Sequence, residues 1–321
     1  MKRLMVPLLV LCLALPAVAV AKDIKIGLSM KQQNAPYFVA LVEASKQQAA
    51  AMGVTFYVTD AQGNISKQIS DVDDLLAKGI DAIIIDAVDP LSIVPATKAA
   101  TRAKVPVIAV DTTIDNSGDF ITLIQSNNLE NGRKVGEYVG GVFGSTPIKA
   151  ALISGAKGNI PGRDRRTGVF IGIMEEQLRT QGKAQIEVVA QGWGNWGQED
   201  GLKAMEDILV AHPDINLLIT ENDSMALGAL KAIQEAGKSE QIRIAAACDG
   251  QKEGIEMILN GKGNYLATGV NNPAVMGRMG VEAAVTYVKT GKIDLPKIYF
   301  TEPVAVTKDN AKKYYDPKAI F

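Results

Sequence analysis

The sequence predicts an α/β protein made of two similar, doubly wound parallel-sheet domains. Three observations carry this. Short apolar β-type runs alternate with amphipathic stretches at helical spacing along the chain. The alternation occurs twice, with corresponding pieces at an offset that drifts from 124 to 138 residues. A chain of 321 residues is also about the length of two ordinary domains.

In order, residues 24–28 form a β-type run, and residues 38–52 are apolar at helical spacing and stop at Gly53. Residues 54–58 read as a strand, and residues 65–78 as an amphipathic helix ending at Gly79. Residues 82–85 are continuously apolar, as in a strand covered on both faces. A helix over residues 95–103 and a strand over residues 107–110 follow. Strands separated by helices imply right-handed crossovers and a parallel sheet. The second copy then begins. Residues 148–152 echo 24–28, residues 207–214 echo 74–81 and lead into a strand over 215–219, and residues 244–249 echo 107–111. The drifting offset indicates a diverged duplication rather than a tandem solenoid. His212 falls at a helix end and reads as a surface cap residue.

Composition excludes several classes. Hydrophobic residues at 47% and charged residues at 21% rule out disordered, collagen-like and disulfide-scaffold chains. The net charge is −1, and neither half is strongly basic, so no nucleic-acid partner is expected. With His212 as the single histidine, a His-based metal site or His-driven triad is not expected; nor is a cofactor.

Residues 1–21 read as a signal peptide. Lys2 and Arg3 precede an apolar run over residues 4–15, too short to span a bilayer, and Ala19-Val20-Ala21 has the small residues that a signal peptidase reads. Cleavage is expected after Ala21, and Leu11 before Cys12 argues against a lipoprotein. The mature chain starts at Lys22; it loses Lys2 and Arg3 and no acid, so its net charge is −3. Cys248 is then the one cysteine left, and no disulfide forms within the chain. A soluble periplasmic protein is expected.

Ligands of such sheets sit beyond the carboxyl ends of the strands. The first domain offers Ser29, Lys31, Asn34, Tyr37, Phe38, Asp60, Asp86 and Asp111 there; the second offers Arg165, Trp193, Trp196, Asn222, Asp249 and Asn271. Carboxylates accept from adjacent hydroxyls, amides donate and accept, and aromatic rings cover the C–H faces of a sugar. The set suits a neutral polyhydroxylated ligand held between two domains. Two motifs mislead. Residues 192–197 match G-x-G-x-x-G, but two tryptophans crowd the loop and the expected acid is not at a strand end. Gly237-Lys238-Ser239 ends a helix instead of starting one, where phosphate is repelled.

The sequence resembles the periplasmic sugar-binding proteins of ABC importers, of the ribose- and arabinose-binding type (the type I periplasmic binding protein family). The resemblance covers essentially the whole mature chain. It is carried by Asn34-Ala35-Pro36-Tyr37-Phe38, by residues 60–64, by residues 106–111 ending in Asp111, by residues 222–230 (NDSMALGAL) and by Asp249-Gly250. It implies that Tyr37 and Phe38 pack on a sugar, that Asp111 and Asp249 bind hydroxyls, and that Arg165, Asn222 and Asn271 complete the polar set. Trp196 would stack from the second domain, and Lys31 matches the arabinose-type loop whose lysine touches the sugar. The resemblance further implies a three-segment hinge near Ser126, Asn271 and Thr301. The first domain would then hold residues 22–126 plus 272–300, and the second residues 127–271 plus 301–321. Expected partners are a monosaccharide or polyol and a membrane permease, with a chemoreceptor compatible and the protein a monomer. The rivals are an exported glycoside-processing enzyme, for which no nucleophile is marked, and the ligand domain of a sugar-responsive regulator, which would carry a DNA-binding helix pair where this chain has a signal peptide. Two departures bear on the ligand. Thr112 stands where the ribose type has arginine, and Cys248 where it often has an aromatic. Both shorten a side chain, so D-ribose is expected to bind poorly.

Overall fold

The computed structural model describes residues 23–321. The signal peptide, its cleavage site and the start at Lys22 lie outside the described residues. One sheet is built from β1 (Lys25–Met30), β2 (Thr55–Asp60), β3 (Ala82–Ile85), β4 (Val107–Val110) and β5 (Thr122–Ser126), with α1 (Pro36–Ala51), α2 (Ile65–Ala77) and α3 (Val94–Arg102) between them. The chain leaves it through α4 (Asn128–Phe143). The second sheet holds β6 (Ile148–Ser154), β7 (Ile186–Trp193), β8 (Leu217–Thr220), β9 (Arg243–Asp249) and β10 (Tyr265–Val270). Its connections are α5 (Ile160–Gln181), α6 (Gln198–Ala211), α7 (Asp223–Glu235) and α8 (Lys252–Asn260). The chain then returns to the first sheet as α9 (Pro273–Thr290) and β11 (Ile298–Thr301), and ends on the second as β12 (Ala305–Thr307) and α10 (Ala311–Tyr314).

The sheet orders are β2-β1-β3-β4-β5-β11 and β7-β6-β8-β9-β10-β12. Every pairing is parallel except β10 with β12. The exception has a topological reason. β11 runs with its sheet toward the carboxyl edge, and the chain enters the second sheet from that edge, so β12 runs away from it.

Each sheet is buried on both faces, which is why its strands read as unbroken apolar runs. On the first, Ile84 and Ile108 pack toward α1 and α9, while Ile83, Ile85 and Val107 pack toward α2 and α3. On the second, Ile219 and Ala245 face Val135 and Val169 of α4 and α5, while Leu218 and Ile244 face Met225 and Met205 of α7 and α6. Each of the isoleucine, leucine, valine and methionine side chains contributes about 1.5–3 kcal/mol by leaving water. Several strands run farther than their apolar residues suggest. β1 continues through Ser29 and Met30, and β2 through Thr59 and Asp60, so polar side chains ride the last ladder bonds to the carboxyl edge. α1 starts two residues before Phe38, because Pro36 sits in its first turn, where a missing N–H costs nothing. α6 starts at Gln198, ahead of Gly201.

Helices α4 and α5 touch backbone to backbone. A Cβ on Gly168 would lie 2.0 Å from the Leu129 carbonyl oxygen, and one on Gly132 would lie 2.2 Å from that of Arg165. This approach brings the start of α4 against the first turns of α5, and so sets Asn128 beside Arg165.

Candidate functional site

The carboxyl ends of both sheets converge, and their side chains form one polar chain. Lys31, just past β1, donates from Nζ to Asp111 Oδ2 at 2.9 Å and to Thr112 Oγ1 at 2.7 Å, and lies 3.4 Å from Asp86 Oδ1. Tyr37, in the first turn of α1, has its hydroxyl 2.8 Å from Asp111 Oδ1 and 3.2 Å from Asn271 Oδ1. Asn271, just past β10, donates from Nδ2 to Asp249 Oδ1 at 3.2 Å. The same oxygen is 2.8 Å from Arg165 Nη2. A continuous path therefore runs Asp86–Lys31–Asp111–Tyr37–Asn271–Asp249–Arg165, from one sheet to the other.

Arg165 is held on all sides. Nε donates to Asn128 Oδ1 at 2.8 Å, Nη1 donates to the Glu221 carbonyl at 3.1 Å, and the guanidinium lies 5.7 Å from the centre of the Trp196 ring. Asp111 adopts φ +57° and Trp196 φ +66°, a left-handed backbone that non-glycine residues hold only where their surroundings enforce it.

The electrostatics follow from burial against charge. Burial alone would lower the Lys31 ammonium, but Asp111 and Asp86 beside it raise its pKa above the usual lysine range. Burial opposes ionisation of Asp111, yet the Lys31 charge outweighs it and holds this carboxyl below its ordinary value. Asp86 is fully buried, and its carboxylate oxygens find no hydrogen-bond donor among the described residues. Burial pushes Asp86 up to about 7, against the pull of Lys31. Asp249 is raised by burial in spite of Arg165.

The other expected residues divide. Phe38 lies 4.9 Å from Lys31 Nζ. Asn222 works within the fold: its Oδ1 caps α7 by accepting from Met225 N at 3.0 Å, and its Nδ2 donates to the Trp196 carbonyl at 3.2 Å. Asn34 is exposed before α1, away from the network. Asp60 accepts from Gln62 N in an exposed turn, and Trp193 lies under Lys157, so neither joins. Cys248 is fully buried, with Sγ 3.6 Å from Asn131 Nδ2, a nitrogen that also donates to Ser126 Oγ and the Val270 carbonyl. The thiol thus packs behind the crossings between the sheets, not as a wall of the polar site.

Sequence reasoning missed three supports. Asn128 fixes Arg165. The Glu221 carboxylate, fully buried, accepts from Gly155 N at 2.8 Å and pairs with Arg166 at 2.7 Å. Asp223 Oδ2 accepts from the backbone N–H of Asp249, Gly250 and Gln251 at 2.7–2.8 Å and so sets the loop that carries Asp249. The signal for Asp223 was its place in the 222–230 motif, and for Asn128 its place just after β5. Two glycines of residues 192–197 serve packing: a Cβ on Gly192 would meet Ala204 Cβ at 2.9 Å, and one on Gly194 would meet Met225 Sδ at 2.8 Å.

Trp196 lies flat against Gly155, where a Cβ would come within 2.1 Å of the indole. Gly155→Ala is expected to displace the ring and to cost about 1–3 kcal/mol by overpacking. The chain has two tryptophans, so a shifted emission maximum together with a lowered Tm reports it. An unchanged spectrum would mean that the ring is not seated there.

Two duplicated α/β lobes, crossed by the chain three times and sharing a polar network at their facing carboxyl edges, define a two-lobed receptor for a small polar solute. The periplasmic binding protein domain matches residues 26–293. The chain is 33% identical over 263 residues to the ribose import binding protein of Bacillus subtilis, covering 82% of this chain and 81% of that one. An ABC transporter solute-binding protein from Mycobacterium smegmatis, solved with glycerol, superposes with a TM-score of 0.82 at 29% identity, over 92% of this chain and 98% of that one. One from Actinobacillus succinogenes, solved with D-allose, gives 0.82 at 25% identity, over 91% and 100%. The chain belongs to the periplasmic binding protein family. It is a solute-binding protein of the kind that serves sugar import by ABC transporters.

Proposed function

We propose that the site captures one neutral monosaccharide or polyol, that the lobes close on it, and that the closed form delivers it to its ABC permease. The network that joins the lobes is the observation that carries this. Every member of it is a hydroxyl-binding group, and from Lys31 to Arg165 each is hydrogen-bonded or ion-paired to its neighbour in the path. A polyol can enter by exchange: its hydroxyls donate to Asp111 and Asp249 and accept from Arg165, Lys31, Tyr37 and Asn271. Phe38 and Trp196 are placed to flank an apolar ring face. Asn222 keeps Trp196 in position, and Asn34 stands at the rim. Binding contacts from both lobes favour the closed population.

The moving bodies in this proposal are residues 22–126 plus 272–300 and residues 127–271 plus 301–321, hinged near Ser126, Asn271 and Thr301. The protein acts as a monomer after cleavage behind Ala21, as a receptor with no catalytic step, and a chemoreceptor can read the same closed form. Asp111 is paired with Lys31 and Tyr37, and Asp249 with Arg165 and Asn271, which supports their reading as hydroxyl acceptors over a glycoside-processing role.

The ligand class follows from Thr112. Its hydroxyl accepts from Lys31 Nζ at 2.7 Å, so a lysine from the loop after β1 supplies the cation beside Thr112, where the ribose type would carry an arginine fork. This supports a ligand other than D-ribose, the sugar in the Bacillus relative's name. Calorimetry with D-ribose, D-allose, myo-inositol and glycerol tests it. D-ribose is expected at least about tenfold weaker than the best of the panel, about 1.4 kcal/mol. D-ribose ranking tightest would overturn the ligand assignment, and no heat from any member would overturn the sugar reading.

A further inference from the structure

The segment after α10 crosses between the lobes. Tyr314 and Tyr315 pack against the core of the second lobe, whereas Phe321 packs against that of the first. Midway, Lys252 of α8 donates from Nζ to the Ala319 carbonyl at 2.8 Å, which keeps the strap on the second lobe up to two residues before Phe321. Residues 301–321 therefore do not all rest on the second lobe. Besides the three covalent crossings, the lobes share this contact.

Phe321 packs on Tyr37. The rings meet edge to face, with centroids 5.5 Å apart and planes at 86°, and Phe38 flanks the same ring at 5.3 Å and 85°. Between them Tyr37 is 7% exposed. Its hydroxyl reaches Asp111 of one lobe and Asn271 at a crossing, so the orientation of this ring decides whether the polar network spans the lobes. A cavity of about 290 Å³ lies beside this contact, walled by Ala40 and Gln47 of α1, by Gly250 and by Ile320 and Phe321. Phe321 is the aromatic ring that the strap brings against Tyr37.

We propose that Phe321 is a positioning residue for Tyr37, and that the strap it ends acts as a latch biasing the solute-free receptor toward the closed arrangement. The proposal rests on the reading of the protein as a receptor that closes. As the lobes part, the strap must give up its hold on Tyr37, on Lys252, or on both. An edge-to-face aromatic pair is enough to shift an open–closed balance severalfold.

The test needs no sugar. Spin labels at Lys98→Cys and Glu235→Cys, both exposed and on opposite lobes, report the interlobe distance, while native Cys248 is buried and stays unlabelled. In the solute-free protein, Phe321→Ala is expected to lower the closed-to-open ratio about fivefold or more, and Phe321→Tyr to restore it. A second readout concerns the ring itself. Burial holds the Tyr37 phenol well above the ordinary tyrosine range. Its alkaline titration, taken by difference from Tyr37→Phe, is expected to move down in Phe321→Ala and to return in Phe321→Tyr. If Phe321→Ala does not fold, Phe321→Leu keeps the apolar bulk and is expected to show the same shifts in part. Distance distributions and titrations that superimpose on wild type in a folded variant would overturn the latch. A wild-type distribution that none of the four polyols narrows would instead overturn the closing receptor.

Discussion

Arg165→Ala is expected to abolish polyol binding at micromolar concentrations and to destabilise the second lobe by about 3–5 kcal/mol, the scale of removing one partner from a buried ion pair. The side chain is 7% exposed and satisfies three acceptors: Asn128 Oδ1, the Glu221 carbonyl and Asp249 Oδ1. Its loss leaves a buried carboxylate without its cation and removes the planar group on which Trp196 rests. Arg165→Lys restores the charge but not the fork, and is expected to recover part of the stability and little of the affinity. Asp249→Asn removes the carboxylate that Arg165 neutralises. In a cycle of Arg165→Ala with Asp249→Asn, the double variant should therefore lose less stability than the two single losses added together. Urea denaturation and calorimetry with the four polyols read both quantities. Additive losses would mean that Arg165 and Asp249 are not coupled, and the network would then end at Asn271.

The architecture was legible because both sheets are covered on two faces. Runs such as residues 82–85 and 107–110 carry no polar residue, and the helices between them carry one apolar stripe, so strand and helix separate by period. Strand ends were less legible, since Thr59 and Asp60 keep β2's ladder although they break its apolar run. The duplication in the sequence pairs Asp111 with Asp249, and the two lie at the ends of β4 and β9, which hold equivalent positions in the two sheets. What sequence could not reach were contacts between residues far apart in the chain. Asn128 meets Arg165 only because two glycine faces let α4 and α5 approach, and the Phe321 contact with Tyr37 spans nearly the whole described chain. Asn222 illustrates an ambiguity that sequence leaves open. An amide at a strand end suits both a ligand and a helix cap, and here the cap and Trp196 take both of its ends.

Lys31→Met is expected to turn the first lobe into an acid-requiring fold. Lys31 sits 2.9 Å from Asp111 and 3.4 Å from Asp86, and its charge is what holds the Asp111 carboxyl below its ordinary value. Without it, two buried carboxyls face one space, and burial with mutual repulsion favours a proton on each. A carboxyl whose folded pKa is raised contributes stability that is present below its unfolded value near 4 and is lost as pH rises through the folded value. In wild type Asp86, at about 7, already has that sign, while Asp111, lowered, has the opposite one and loses stability as pH falls. Removing the lysine moves Asp111 to the same side as Asp86. The variant's deficit relative to wild type should therefore be small near pH 5 and grow to about 3 kcal/mol near pH 8, the scale of an uncompensated buried charge. Asp86→Asn in the same chain removes one of the two charges without changing its shape, and is expected to recover much of the loss at pH 8. Urea denaturation of wild type, Lys31→Met and the double variant at both pH values makes the comparison. An equal deficit at pH 5 and pH 8 would show that Lys31 stabilises the lobe by packing on Phe38, and not by holding two acids apart.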